Sequence, residues 1–472
     1  MKTVRLFVDG QWAEGESTSQ IVDKFDGSPA GTVHQAGAGQ VALAARQLTA
    51  AQARGPLSPY ARSEVLARAS GLLQERSAAF VQTIVADSGF TVRDAEREVS
   101  RSVQTLLLCA EEAKRIHGEI VPVEGAPQVS QRMAFTTRHP IGVVCCITPF
   151  NSPLNTLLHK VGPAIAAGNA VIVKPASYTP ATAELAVTLL LDAGLPPELI
   201  ALVFGSGSTV GEWLLRDPVP GFYAFTGSTE VGERILQTVG LRKTQLELGS
   251  LASTIVCDDA DIELAVGRCV AAAFRKAGQV CTSIQRLYVQ RGVFDHFVDG
   301  FVADTKELKA GDPRRADTSV GPLISRGEAE RVEAWIASAA DQGATIATGG
   351  GRSGSVVQPT VLLDASVKSD VMCREIFGPV VCVQAFDELS EAITGVNDTP
   401  YGLAAGVFTR SIPSAMAAAN GLRVGSVHIN ETSNGRLDLM PYSGVKDSGM
   451  GREGPRYAIE EMTEERLITV AW

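Results

Sequence analysis

Hydrophobic and polar positions follow three distinct rhythms along the chain. Over residues 38–120, Leu, Ala and Val recur every three or four positions among Arg, Glu and Gln, which predicts three or four amphipathic helices. From residue 141 the rhythm changes to short Val/Ile/Ala-rich runs at 143–148, 170–174, 202–204, 222–226 and 244–248, separated by helical segments. Such alternation predicts a parallel sheet covered by helices on both faces. A second strand–helix series runs from 253 to about 430, with strands at 253–257, 286–289, 381–385 and 405–409, and predicts a second α/β unit. Residues 1–15 read as a strand pair turning at Asp9-Gly10. Two polar, alternating segments, 128–138 and 466–472, have the pattern of exposed strands that pair with each other or extend a sheet in a neighbouring subunit.

Composition narrows this picture. A chain of 472 residues exceeds one ordinary core, and two domains of roughly 200 residues are expected. Hydrophobic residues at 45%, charged residues at 20% and 46 glycines fit a compact α/β protein rich in tight turns. The formal net charge of −10 argues against a nucleic-acid binder, which needs clustered Lys and Arg. The first residues lack the apolar stretch of a secretory signal, and runs such as 141–147 fall short of the ~20 residues that cross a bilayer. A cytoplasmic protein without a membrane span is expected. Eight cysteines at mostly apolar positions suit reduced thiols better than disulfides, and without CxxC or HxxxH spacing no metal site is expected.

Four local patterns carry candidate chemistry. Cys281 follows Lys-Ala-Gly-Gln-Val after a helical stretch, where backbone N–H groups can approach a reacting atom, so its thiolate is a candidate nucleophile. A free cysteine is more often buried and inert, and seven others share the chain. Glu247, enclosed by Leu246 and Leu248 at the end of a strand-like run, is a candidate general base with a raised pKa; a lone Glu more commonly binds backbone N–H groups. Asn151, between Pro149 and Pro153, is a rigid amide suited to an oxyanion hole or to completing a turn. The glycine pair in 225–232 (FTGSTEVG) and the GxGxxxG run at 205–211 each lie between strand and helix. There backbone N–H groups bind a pyrophosphate or simply make the turn.

Taken together, PFN at 149–151, KPAS at 174–177, FTGSTEVG at 225–232, LELG at 246–249, GQVC at 278–281 and EIFGP at 375–379 resemble the aldehyde dehydrogenase superfamily, in order and spacing, over nearly the whole chain. NDTPYGL at 397–403 and PYSGVKDSG at 441–449 extend the match. The resemblance implies an α/β fold with a Rossmann-like cofactor domain (1–127 and 139–248), a catalytic domain (249–440) and an oligomerisation flap with the C-terminal tail (128–138 and 441–472). It implies a homodimer or homotetramer.

Carried over by residue, the resemblance implies Cys281 as nucleophile, Glu247 as base, and Asn151 with the Cys281 N–H as oxyanion hole. Lys174 would bond the adenosine ribose, Ser228 the pyrophosphate, and Glu375 the nicotinamide ribose beside Phe377. Thr148, Pro149, Phe150, Ser177, Gly207, Gly211, Phe225, Thr226, Gly227, Val231, Leu248 and Gly249 complete the expected cofactor site. The expected reaction is NAD(P)⁺-dependent oxidation of an aldehyde to its acid through a thioester on Cys281. A CoA-acylating dehydrogenase and a cofactor-independent thiol esterase are the alternatives.

Departures from the family pattern refine the expectation. Ser250 and Leu251 follow Gly249 where a second glycine is usual, Lys276 stands where many members carry Asn, and Ser443 replaces a Gly. Ser177 occupies the position of a Glu that repels a 2′-phosphate in NAD-preferring relatives, so NADP⁺ is expected to be accepted alongside or in place of NAD⁺. The tracts 98–101, 110–119 and 451–464 look like the lactaldehyde and non-phosphorylating glyceraldehyde-3-phosphate dehydrogenase branch, which implies a small, polar or anionic aldehyde. Arg101 and His159 are then candidate substrate contacts, or else solvated or helix-capping side chains.

Overall fold

The computed structural model describes residues 2–127 and 131–472. Four helices, Ala38–Ala53, Pro59–Glu75, Ser77–Ser88 and Val92–Ala113, fill the stretch with helical rhythm. The longest is capped by Thr91, whose hydroxyl accepts the Asp94 N–H at 3.2 Å, and it buries Ala95, Val99, Leu106 and Ala110 on one face. At the amino-terminal turn, Asp9 and Gly10 both have positive φ, 56° and 73°. That geometry folds Leu6–Val8 back antiparallel onto Gln11–Ala13.

The first large sheet has eight strands, and its middle five are parallel in the order Lys243–Glu247, Phe222–Thr226, Val143–Ile147, Ala170–Lys174, Ile200–Leu202. The chain winds one way from Val143–Ile147 and then returns to add Phe222–Thr226 on its other side. The reversal opens a crevice at the carboxyl ends of these two adjacent strands, where α/β sheets receive ligands. The strand expected at 202–204 lies at Ile200–Leu202 instead, because it begins directly after the turn Pro197–Leu199 and pairs Ile200 with Val171.

The second large sheet has seven strands, with Val380–Phe386, Arg286–Gln290, Ser253–Val256 and Ala404–Phe408 parallel at its centre. Thr360–Leu363 and Ser426–Ile429 extend it, and Thr345–Thr348 closes one edge antiparallel. These three are too short or too polar to stand out in the sequence. Each large sheet has its own apolar core, one including Val144, Leu158 and Phe225, the other Leu287, Phe301 and Val381.

The two exposed-strand segments pair with each other: Thr463–Ala471 runs antiparallel to Arg132–Pro140, with Ile120–Val121 on the far side. Residues 128–130 of the first segment lie outside the described residues. Much of 441–462 is not part of this flap. Gly449–Met450 pairs with Leu246 and Glu247 at the edge of the first sheet, and the helix Pro455–Glu461 buries Ala458 and Ile459 in the first core. Among the described residues no helix is long and apolar enough to cross a membrane.

Candidate active site

Two cavities meet at Cys281. A long groove of about 730 Å³ is lined by Thr148, Pro149, Phe150, Lys174, Ser177, Gly207, Gly211, Phe225, Thr226, Gly227, Ser228, Val231, Leu248, Glu375 and Phe377. It opens from the crevice at the strand-order reversal. A smaller cavity of about 230 Å³ holds Arg97, Arg101, His159, Glu247, Arg275, Arg436, Asp438 and Tyr442. Asn151, Thr226, Leu248 and Cys281 line both. Of the expected cofactor residues only Gly249 is absent from the groove lining. It sits behind the wall, its N–H donating to Thr229 Oγ1 (3.3 Å) and its carbonyl accepting from the Ser448 hydroxyl (2.6 Å).

The loop that presents Cys281 is unusual. Lys276, Ala277 and Gly278 all have positive φ (50°, 54° and 71°). Gly278 is required as glycine twice over, since a Cβ there would lie 2.1 Å from the Gly378 carbonyl oxygen. Left-handed conformations at Lys276 and Ala277 cost of order 1–3 kcal/mol each, so surrounding contacts must hold them. Lys276 supplies those contacts. Its Nζ pairs with Glu98 Oε2 at 2.5 Å and donates to the Asn151 carbonyl at 2.8 Å, while its backbone N–H donates to Asp94 Oδ2 at 3.1 Å. Glu98 in turn accepts the Leu154 and Asn155 N–H groups through Oε1. One buried ion pair thus fixes the thiol loop and the turn bearing Asn151 to the same helix, which accounts for Lys at 276.

Six of the eight cysteines are buried; Cys281 is half-buried in the site and Cys373 is exposed on the surface. Burial pushes the Cys281 thiol up to about 11, with Glu375 and Glu247 adding to the rise and the Tyr442 hydrogen bond and Arg436 opposing it. Glu247 is 3% exposed, and neither carboxylate oxygen has a hydrogen-bond partner among the described residues. Burial, reinforced by the nearby Glu453 carboxylate, holds its pKa well above the ordinary range, against Arg436 and Lys160. Glu453 pairs with Lys160 (3.0 Å) and Arg436 (2.9 Å).

The two candidate substrate residues, Arg101 and His159, are brought together, but through a carboxylate that sequence reasoning missed. Asp438 is bound by Arg101 in a fork, Nε to Oδ2 at 3.0 Å and Nη2 to Oδ1 at 2.7 Å, and Oδ1 also meets His159 Nε2 at 2.8 Å and Asn155 Nδ2 at 3.0 Å. Burial opposes ionisation of Asp438, yet the His159 and Arg101 contacts hold its carboxyl well below the usual range. Arg101 therefore faces the cavity with its charge already paired. Among the described residues, the buried guanidinium donors of this cavity left without a partner are the Nε of Arg275 and the Nε and Nη2 of Arg436, whose Nη1 is paired with Glu453. No local motif marks Arg275 or Arg436, and the PYSGVKDSG tract that contains Tyr442 does not announce its contact with the thiol; only the preceding helix and the returning C-terminal stretch bring them there.

The groove fits a dinucleotide by its own chemistry. Lys174 is 5% exposed, and among the described residues its ammonium has a single 3.4 Å contact, to the Pro175 carbonyl, leaving donors free for sugar hydroxyls. Burial lowers it to about 8. Ser228 caps the helix Thr229–Val239 at the groove wall, and Gly227 beside it must be glycine because a Cβ there would strike the Phe225 ring. Glu375 accepts the Ser250 N–H at 3.0 Å through Oε1, which leaves Oε2 for a ribose; burial raises it to about 7.

Fold and site together define an oxidoreductase that acts on the aldehyde group with NAD(P)⁺, and the chain belongs to the aldehyde dehydrogenase family, whose model matches residues 12–468. Among its relatives is 3-sulfolactaldehyde dehydrogenase from Priestia aryabhattai, 44% identical over 470 residues, covering 100% of this chain and 98% of that protein. The NADP-dependent glyceraldehyde-3-phosphate dehydrogenase from Bacillus halodurans, solved with NADP, superposes with a TM-score of 0.97 at 32% identity over 100% of both chains. Aldehyde dehydrogenase 21 from Physcomitrella patens, solved with its product succinate, gives 0.97 at 34% identity over 100% of this chain and 98% of that one.

Proposed function

We propose that this protein oxidises a small aldehyde carrying an anionic group, with Cys281 as nucleophile and Glu247 as the base that releases the acid. The observation that carries the reading is the placement of Cys281 where the long groove meets the arginine-rich cavity. An aldehyde anchored in the cavity by its anion presents its carbonyl to the thiol. The Cys281 thiolate adds to the carbonyl carbon, and the oxyanion of the thiohemiacetal is stabilised by the Asn151 amide and the Cys281 N–H. NAD(P)⁺, when bound, supplies the hydride acceptor. Collapse of the oxyanion leaves an acyl thioester on Cys281. Glu247 takes a proton from water, hydroxide adds to the thioester, and the acid departs as the thiolate is restored. Glu247, unpaired beside the thiol, favours hydrolysis over transfer to CoA, and the long groove favours dehydrogenation over simple ester cleavage.

Arg275 and Arg436 are the proposed anion anchors, with Arg101 and His159 acting on the cavity wall through Asp438. The sulfolactaldehyde, glyceraldehyde-3-phosphate and succinate in the relatives' names are all anionic or yield a second acid group, which supports this substrate class. Ser177 lines the groove without the carboxylate that would repel a 2′-phosphate, which supports acceptance of NADP⁺ as well as NAD⁺; Arg234 lines it too, with its charge paired to Glu212 at 2.9 and 3.1 Å. The flap, with Leu467, Val470 and Trp472 exposed, is the proposed surface of a homodimer or homotetramer of a cytoplasmic enzyme. The test is a panel of anionic and neutral aldehydes of matched size, followed at the reduced-nicotinamide absorbance with both cofactors and with product analysis. Preference for the anionic members and a free-acid product is expected; preference for neutral aldehydes, or an acyl-CoA product, would overturn the proposal.

A further inference from the structure

Tyr442 lies 3.1 Å, through its hydroxyl oxygen, from Cys281 Sγ, and its side chain is 4% exposed. The Arg436 guanidinium sits over the face of its ring, 3.9 Å from the centroid, and is itself held by Glu453 at 2.9 Å. A thiolate can only accept a hydrogen bond, so once Cys281 ionises the phenol must be the donor. The setting needs one. The charged groups facing the sulfur are the carboxylates Glu247 and Glu375, which oppose ionisation, and the guanidinium groups Arg436 and Arg275, which favour it. A cation on the π face withdraws electron density from the ring and makes its O–H a stronger donor. Burial, with Cys281 and Glu247 nearby, also keeps the Tyr442 proton in place well above the ordinary phenol range, against the pull of Arg436. Phenylalanine would fill the same space, so the hydroxyl is not needed for packing.

We propose that the Tyr442 hydroxyl is the hydrogen-bond donor that stabilises the Cys281 thiolate, and that Arg436 stacked on its ring strengthens that donation. The inference rests on Cys281 being the nucleophile, and the experiment separates the two claims. Alkylation of the Cys281 peptide by iodoacetamide is followed by mass spectrometry across the neutral to alkaline range in the full-length wild type, Tyr442→Phe and Arg436→Lys, with the exposed Cys373 peptide as reference. Tyr442→Phe is expected to move the midpoint up by about one pH unit, which makes Cys281 about tenfold slower at neutral pH with an unchanged alkaline plateau. Arg436→Lys, which keeps the charge and loses the stacking, should move the midpoint the same way by less. A packing role alone would alter melting temperature or plateau and leave the midpoint where it was. An unmoved midpoint in Tyr442→Phe, with Cys281→Ala inactive, would overturn this proposal alone. Aldehyde oxidation by Cys281→Ala would overturn the nucleophile assignment and this proposal with it.

Discussion

The two cavities that share Cys281 are built on opposite principles. The long groove is lined mainly by residues at the ends of neighbouring strands in the first sheet, with Glu375, Phe377 and Glu328 added from the second unit. The smaller cavity is made from side chains that converge from distant parts of the chain, and it is dense in charge. Arg101, Glu247, Arg275, Arg436, Asp438 and Glu453 all line it. A site set at strand ends is fixed by the fold, whereas a site of converging side chains can be retuned one residue at a time, which suits the proposed use of the first cavity for cofactor and of the second for substrate.

Substitutions can break that contrast at its shared point or on either side. Cys281→Ala removes the atom both cavities serve, and kcat should fall by about 10⁴-fold or more in steady-state assays while cofactor binding persists. Glu247→Gln should slow turnover by about 10²–10³-fold and retain a pre-steady-state burst of reduced nicotinamide, since only thioester hydrolysis needs the base. Loss of the burst would place Glu247 before hydride transfer. The same residue sets a pH dependence: its pKa is raised, the carboxylate is the active form, and deacylation should rise as pH climbs through that raised value and fall on acidification. Glu247→Gln should flatten that limb.

Arg275→Gln should raise KM for anionic aldehydes by about 10–100-fold and leave neutral aldehydes of similar size nearly unchanged, as expected for loss of one charge-assisted contact. Equal losses for both would remove Arg275 from substrate recognition. On the groove side, Ser177→Glu should lower kcat/KM for NADP⁺ by about tenfold through repulsion of the 2′-phosphate, with little effect on NAD⁺. An unchanged cofactor ratio would show that position 177 does not face the phosphate.

The same contrast explains what the sequence disclosed. Groove residues fall in contiguous motifs because strand-to-helix turns have strict local requirements, so the family resemblance could carry Lys174, Gly227 and Ser228 across, while hydrophobic rhythm alone gave the central strands at 170–174 and 222–226. Nothing local announces the placement of Arg275 and Asp438, or the contact of Tyr442 with the thiol. Asp438 and Tyr442 lie on a C-terminal stretch whose strand Gly449–Met450 returns to the edge of the first sheet, a long-range pairing that two residues of sequence cannot announce. Arg101 was legible as a charge near the substrate, but not its capture by Asp438, 337 positions away. Lys276 looked like a departure from the family pattern until its left-handed backbone and its pairing with Glu98 were seen together.

That last pair also constrains how the molecule can move. Lys276 belongs to the segment leading into the second sheet and Glu98 to a helix of the first core, and their contact is sealed from water, with side chains 7% and 2% exposed. Parting them would leave a charge uncompensated in a dry interior, at a cost of roughly 3–5 kcal/mol. A clamshell opening of the two halves is thus an expensive route for exchanging ligands. On the proposed assignment of the two cavities, cofactor would enter by the groove mouth and aldehyde by the arginine-lined cavity, neither route requiring the buried pair to part.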